Sequence, residues 1–256
     1  MTRARSLILA VGLTILAATT FATSAGAQGK TLCVLPYSVP APSHCFLAFR
    51  PLSPQALGDA FVAASSSANP ELAGRDTIEI APGTITIDDP LTLVVPVGEP
   101  VDIVGSGIGQ TNILALHDDV KYPVNLTALT LNAFALGAED SSIRNLTLES
   151  SGSLRSETVL QMTNGVLRDA RVKTIGGQES THTGVRTTGN SLIADTEFSI
   201  LGIDAHGLVA GDGAEIRRSS FTGSDVVWSE PVSGIQAFGG VEANQLNFAG
   251  IQRPLV

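Results

Sequence analysis

The stretch Ile143-Arg144-Asn145-Leu146-Thr147-Leu148 recurs in outline four more times along the chain. Its counterparts are Leu167-Arg168-Asp169-Ala170-Arg171-Val172, Ile193-Ala194-Asp195-Thr196-Glu197-Phe198, Ile216-Arg217-Arg218-Ser219-Ser220-Phe221 and Ala243-Asn244-Gln245-Leu246-Asn247-Phe248. In each, two apolar residues stand five positions apart. Eight positions before the first of them lies another apolar residue: Ala135, Val159, Val185, Leu208 and Ile235. The connection to the next unit varies between 10 and 14 residues, which gives a period of 23 to 27.

Constant intervals joined to one variable interval have a direct physical meaning. Stacked strands demand a fixed path, whereas a turn that projects into solvent tolerates changes of length. Two short strands, the turn between them and one changeable connection make one level of a parallel β-helix. Successive levels hydrogen-bond through the backbone about 4.8 Å apart. Equivalent residues then form columns, and Leu148, Val172, Phe198, Phe221 and Phe248 are expected in one interior file. No level buries its apolar face alone, so such an array is stable only as a stack. Leucine-rich repeats share the period but need denser leucine and an asparagine ladder, and Asn145 has Asp169, Asp195, Arg218 and Gln245 in its column. Gly, Ser and Thr within the units exclude helical repeats, and a β-sandwich requires no constant eight-residue interval.

Upstream, Ile78 and Ile80 alternate with Thr77 and Glu79, and Ile85 and Ile87 follow the turn Ala81-Pro82-Gly83. Leu91, Leu93 and Val101-Asp102-Ile103-Val104 continue the pattern of short β-branched strands. Gly105 to Gly109 reads as a turn at a corner of the coil. Before this region, Ser53-Pro54 marks a helix start, with serine as the N-cap and proline in the first turn. Ala60, Leu57, Phe61 and Ala64 supply its apolar face, and Asn69-Pro70 ends it. Residues 28–52 form a Pro- and Ser-rich linker or flap, in which Cys33 and Cys45 are expected to pair as a structural disulfide. Residues 1–27 have the features of a signal peptide. Arg3 and Arg5 precede the apolar run Leu7 to Ala18, and Ala25-Gly26-Ala27 offers a cleavage site. The run is shorter than the roughly 20 residues a bilayer span needs. The expected organisation is therefore a leader over 1–27, the flap over 28–52, a capping helix over 53–70 and a parallel β-helix over 71–256.

Asp76-Thr77-Ile78-Glu79-Ile80-Ala81-Pro82-Gly83-Thr84, Leu91-Thr92-Leu93, Val101 to Gly109 and the five units together resemble the pectate-lyase-like right-handed β-helix superfamily. The resemblance covers roughly Ser53 to Gly250 and implies an all-β fold with right-handed coiling. It also implies a secreted protein, but no single activity. Lyases, polygalacturonases, tailspikes and adhesins share the fold, so function has to be argued from a site. The Asn-Thr-Asp segment, the strand-borne Asp-Asp pair and the Gly-His-Gly segment of polygalacturonases are missing, and Ala205-His206-Gly207 matches only in part.

Column arithmetic points to candidate chemistry. Asp169 and Asp195 share a column in adjacent levels, which places them near 5 Å apart. Arg171 and Glu197 share another, with Arg144, Arg168, Arg217 and Arg218 around them. A carboxylate pair beside arginines suits acid/base work on a uronide or glycoside. The candidate catalytic set is Asp169, Asp195, Arg168 and Glu197. Asp169 and Asp195 are also the candidate Ca²⁺ ligands, and Ca²⁺ is the one cofactor considered. The competing reading is a solvated polar ladder with surface ion pairs. His182, His206 and Asp204 form a second cluster whose donors suit a metal or a proton shuttle, although no zinc motif is present, and the favoured reading is exposed turn histidines. Trp228 lies in the longest connection, where it packs on its own loop or stacks on a sugar ring.

The chain has a formal charge of −9, and removal of the two leader arginines takes it to −11. That balance argues against nucleic acid, which needs a basic patch. No second apolar run of spanning length follows the leader. The expected protein is thus extracytoplasmic, a non-catalytic surface or carbohydrate-interaction scaffold whose partner is polysaccharide or a cell-surface component. The alternative is a polysaccharide lyase or glycoside hydrolase acting on uronide-containing glycans. After Gly250 no amphipathic cap is visible, which raises an end-to-end partner there.

Overall fold

A computed structural model describes residues 29–66, 74–96, 99–116, 126–133, 141–150, 156–176, 181–223, 233–251 and 253–255. The leader, Ala135, Asp118, Asp119 and Trp228 lie outside these residues. The chain runs through β1 (Thr31–Val34), β2 (Leu47–Phe49), helix α1 (Pro54–Ala64), β3 (Asp76–Ile80), β4 (Gly83–Ile87), β5 (Leu91–Val95), β6 (Val101–Gly105), β7 (Thr111–Ala115) and β8 (Leu126–Ala133). It continues through β9 (Ser142–Arg144), β10 (Thr147–Ser150), β11 (Glu157–Thr163), β12 (Val166–Ile175), β13 (His182–Thr188), β14 (Leu192–Leu201) and β15 (Ala205–Ala210). The last elements are β16 (Glu215–Arg217), β17 (Ser220–Gly223), β18 (Ser233–Ala237), β19 (Glu242–Asn244), β20 (Asn247–Ala249) and β21 (Arg253–Leu255).

The fold is all-β apart from α1, and the strands form two parallel sheets. One sheet has 14 strands and the other has 7, ordered β21-β18-β15-β13-β11-β8-β5. The chain alternates between them, so each visit to the large sheet is followed by one strand of the small sheet. From β3 onward, strand pairing joins each level to the next.

Register bears out the columns. Leu148 pairs with Val172, Val172 with Phe198, Phe198 with Phe221 and Phe221 with Phe248. The file reaches back through Ile113 to Ile85. A second file runs Leu32, Ile78, Ile103, Ile143, Leu167, Ile193, Ile216 and Ala243. These files fill the interior, and among the described residues only their last members, Ala243 and Phe248, are not buried. Phe198 and Phe221 stack with ring centroids 4.5 Å apart, and Phe221 and Phe248 with centroids 5.1 Å apart.

Two expectations need correction. In the small sheet the residue opposite Val185 is Leu160, not Val159. The third file is therefore Leu91, Leu129, Leu160, Val185, Leu208, Ile235 and Leu255. Both Val159 and Leu160 are buried, so hydrophobicity alone does not separate them. The segment 28–52, read as a linker or flap, carries two strands. β1 pairs with both β2 and β3 and extends the large sheet.

The N-terminal end of the interior is covered by α1. The Ser53 hydroxyl accepts from the Ala56 amide at 3.2 Å, and Pro54 opens the helix. Ala56, Leu57, Ala60, Phe61 and Ala64 turn inward. The helix ends at Ala64, short of the Asn69-Pro70 boundary, and the Ser65 amide bonds back to the Phe61 carbonyl. The disulfide between Cys33 and Cys45 is present, with the two Cα atoms 5.8 Å apart. Among the described residues no helix is long and apolar enough to cross a membrane.

Candidate functional site

Each of the last five visits to the large sheet bends once, at a single left-handed residue. These corner residues are Asn145, Asp169, Asp195, Arg218 and Gln245, with φ between 45° and 56°. Asn and Asp tolerate that region better than most residues, because their short side chains bond locally. The corner thus accounts for asparagine or aspartate in three of the five positions. It also accounts for the five-residue interval. The residue after each corner points inward: Leu146, Ala170, Thr196 and Ser219 are all buried. The hydroxyls of Thr196 and Ser219 donate to the carbonyls of Ala194 and Arg217, each at 2.9 Å.

Asp169 and Asp195 therefore stand at the same corner in adjacent levels, between the pairs Arg168–Ala194 and Ala170–Thr196. Both are exposed, as is Arg168. Asp195 receives two hydrogen bonds from Arg218, at 2.7 and 2.6 Å. That guanidinium, helped by the charge of Arg168, holds the Asp195 carboxyl below the ordinary carboxylate range. Arg218 is raised in turn, by the Asp195 hydrogen bond first and with a smaller contribution from the charge of Asp169. Glu197 pairs with Arg171 across the strands, at 2.7 Å, and Lys173 reaches Glu149 at 3.2 Å. Arg144, Arg168, Ala194 and Arg217 form the column before the corner, so two arginines are adjacent and the third stands beyond an alanine. The four candidate residues are thus brought to one exposed edge, where arginines neutralise the carboxylates.

A cleft of about 500 Å³ lies elsewhere, between α1 and β5, lined by Gly58, Phe61, Val62, Leu91 and Leu93 among others. For Ca²⁺, which takes six to eight oxygen ligands, Asp169 and Asp195 gather no third carboxylate, His or Cys ligand among the described residues.

The histidines differ from their expected place. His182 is a buried strand residue, not an exposed turn residue, and stands opposite Glu157 and Ala205. His206 lies in β15 opposite Thr183 and Ser233, one column away from His182. The Glu157 carboxylate is 3.7 Å from His182 Nδ1, and both side chains are buried. His206 is hydrogen-bonded through Nδ1 to the Ser233 hydroxyl and lies 3.6 Å from Asp204. Burial lowers its pKa, assisted by Arg186 and opposed by Asp204. The Glu157–His182 pair was hidden in the sequence by the one-residue offset at Val159. With Leu160 aligned to Val185, glutamate and histidine fall opposite each other.

A half-buried ion pair ties the first levels together. Arg75 donates two hydrogen bonds to Asp102, at 2.8 and 2.7 Å, and the Ser142 hydroxyl donates a third at 2.6 Å. Burial alone would raise the Asp102 carboxyl, but Arg75 and Ser142 outweigh it and hold the group below its ordinary value. A depressed carboxyl stabilises the fold above the unfolded pKa of about 3.9, and this contribution is lost as pH falls through the lower folded value. The Asp102→Asn variant is expected to lose about 1–3 kcal/mol at neutral pH and to show a flatter acid limb. Urea titrations of both proteins between pH 7 and pH 2 check this. The comparison separates Asp102 from Asp76, whose carboxyl is raised by burial and which favours folding as pH falls. Equal acid limbs would remove Asp102 from the account.

No family model matches the chain, and no curated protein matches it. Two solved structures are similar to it. One is ORF18 of Geobacillus virus E2, with 12% identity and a TM-score of 0.40 over 71% of this chain and 37% of that one. The other is the catalytic domain of Agl-KA, with 12% identity and a TM-score of 0.24 over 85% of this chain and 55% of that one. The chain spans roughly a third to a half of their lengths. Its class is defined by its own strand pairing: an all-β protein of two parallel sheets with a charged, exposed corner.

Proposed function

We propose that this chain is a secreted right-handed parallel β-helix of the pectate-lyase-like kind, and that it holds a polysaccharide or cell-surface glycan without cleaving it. Supporting the β-helix reading are the level-to-level register of both sheets and the alternation of the chain between them. The leader-like N-terminus and the disulfide fit export.

The observation that carries the non-catalytic reading is the state of the corner. Asp195 is held by two hydrogen bonds from Arg218, and Asp169 and Asp195 occupy left-handed positions that favour aspartate for backbone reasons. A general acid needs a raised pKa, and Asp195 is lowered. What the corner offers is a run of cationic side chains: Arg144 and Arg168 on adjacent levels about 4.8 Å apart, and Arg217 one level beyond Ala194. Arg168 and Arg217 are exposed, Arg217 in an ion pair with Glu215, and guanidinium groups bind carboxylates in a bidentate manner. A local basic column offsets the acidic net charge for an acidic glycan.

Calorimetry with polygalacturonate, with and without Ca²⁺, tests the reading. The Arg168→Ala/Arg217→Ala double variant is expected to bind about fivefold more weakly, the scale of two exposed charge contacts. The wild type is expected to release no unsaturated or reducing product. The second reading, a polysaccharide lyase or glycoside hydrolase using Asp169, Asp195, Arg168 and Glu197, predicts product that disappears in Asp169→Ala or Asp195→Ala. Its Ca²⁺ would sit on Asp169 and Asp195.

A further inference from the structure

We propose that Cys33, His44 and Cys45 form a metal site that opens when their disulfide is reduced, and that it takes a zinc-class divalent ion. The ligand atoms of these three residues all lie within 4.8 Å of one another. In the oxidised protein the two sulfurs are bonded and hold no cation. In the reduced protein they become two thiols beside an imidazole, which on losing their protons to a metal give the donor set of many tetrahedral zinc sites.

The scaffold around the three residues is built for this. Cys33 is buried in β1, with Ala48 of β2 on one side and Glu79 of β3 on the other. It is thus fixed by two sheet ladders. Cys45 is half-buried and His44 exposed, which leaves an entry path for an ion. The Cα atoms of Cys33 and Cys45 are 5.8 Å apart. Zinc–sulfur bonds of about 2.3 Å place tetrahedral sulfurs roughly 3.8 Å apart, a span such a pair reaches by side-chain rotation.

Glu79 supplies the second observation. Its carboxylate lies 2.7 Å from His44 Nε2. An ionised carboxylate only accepts, so Nε2 donates to it, and in the neutral ring the lone pair is then on Nδ1. This carboxylate–histidine arrangement orients metal-binding imidazoles and strengthens them as ligands. The residue that fixes the histidine is also the one opposite Cys33, so the site and its support share one ladder position.

The chemistry balances with a thiol or phosphine as reductant. Two thiol equivalents give up two electrons and two protons, the Cys33–Cys45 bond breaks, and the thiols leave as their own disulfide; a phosphine instead gives the two electrons and leaves as its oxide, with one water supplying the oxygen and the two protons. Zinc then displaces the two new thiol protons to solvent. The consequence is structural: the segment from β1 to β2 stays clamped, by a covalent bond when oxidised and by a metal when reduced.

The test uses the full chain, reduced by a phosphine under nitrogen and titrated with Co²⁺. One equivalent is expected to bind, with thiolate-to-cobalt charge transfer and the intense visible bands of a tetrahedral site, and Zn²⁺ is expected to bleach both. The oxidised protein should give neither signal. His44→Ala, on an exposed residue, is expected to weaken binding at least about tenfold, and Glu79→Gln about tenfold through the histidine. Zn²⁺ should also return the melting temperature of the reduced protein toward that of the oxidised one. Absence of charge transfer in the reduced protein overturns the proposal. So does a Co²⁺ affinity that His44→Ala leaves unchanged.

Discussion

Phe221→Ala is expected to destabilise the fold by about 3–5 kcal/mol, the range for a buried aromatic truncated to alanine. The ring is fully buried and lies between Phe198 on one level and Phe248 on the next. Its removal leaves a void between two flat surfaces that strand pairing holds apart. Phe198 and Phe248 cannot close on each other, because Ser220 and Thr222 keep β17 hydrogen-bonded to β14 and β20. Collapse of the site is therefore small, and the cavity contribution is near its upper end. The loss propagates along the stack, since β19 and β20 are exposed strands that rest on the level of Phe221. Equilibrium urea unfolding followed by circular dichroism measures it. A loss under about 1 kcal/mol would mean that Phe221 is not packed in an interior file.

Gly184→Ala is expected to cost about 1–3 kcal/mol by overpacking. A Cβ on Gly184 would lie 2.5 Å from Val172 Cγ1, 2.6 Å from Thr174 Oγ1 and 2.8 Å from the carbonyl oxygen of Gly207. Val172 is itself locked between Leu148 and Phe198, so it has no room to withdraw. The backbone oxygen cannot rotate away. Gly207 and Gly234 hold the same position on the next two levels, where a Cβ would meet Ile200 Cδ1 at 2.6 Å and Phe248 Cε1 at 2.9 Å. Val159 takes this position one level earlier, where the corresponding residue of the facing wall is Ser150 rather than Thr174 or Ile200. A small residue on one sheet thus answers a large one on the other. Thermal unfolding of Gly184→Ala checks the claim, and an unchanged melting temperature would show that the two walls are farther apart than this packing implies.

These two positions illustrate what was legible in advance. The file of Leu148, Val172, Phe198, Phe221 and Phe248 could be read from a five-residue interval, because a one-residue left-handed corner has a fixed length. The earlier levels escaped that reading. Between Ile103 and Ile113 the corner is a longer turn through Gly107 and Gly109, and between Ile78 and Ile85 it passes Ala81 and Pro82. The intervals differ although the columns are the same. The candidate site was legible as a set of neighbours: Arg168, Asp169, Asp195 and Glu197 do share one edge. Its electrostatics were not. Arg218 sits in the same corner column as Asp195, and only the direction of its side chain makes it the partner of that carboxylate.

Periodicity is one-dimensional, so the sequence alone determined which residues recur and therefore which can lie above one another. It settled the parallel stacking, the capping helix and the cysteine pair. Two things were left to tertiary structure. One was the register of the small sheet, where two adjacent buried residues, Val159 and Leu160, satisfy the pattern equally and only packing against the other sheet chooses between them. The other was the placement of charge, because burial of Glu157 with His182 and exposure of Asp195 beside Arg218 depend on which way a wall faces. Facing is set by contacts between levels and sheets, and no interval along the chain encodes it.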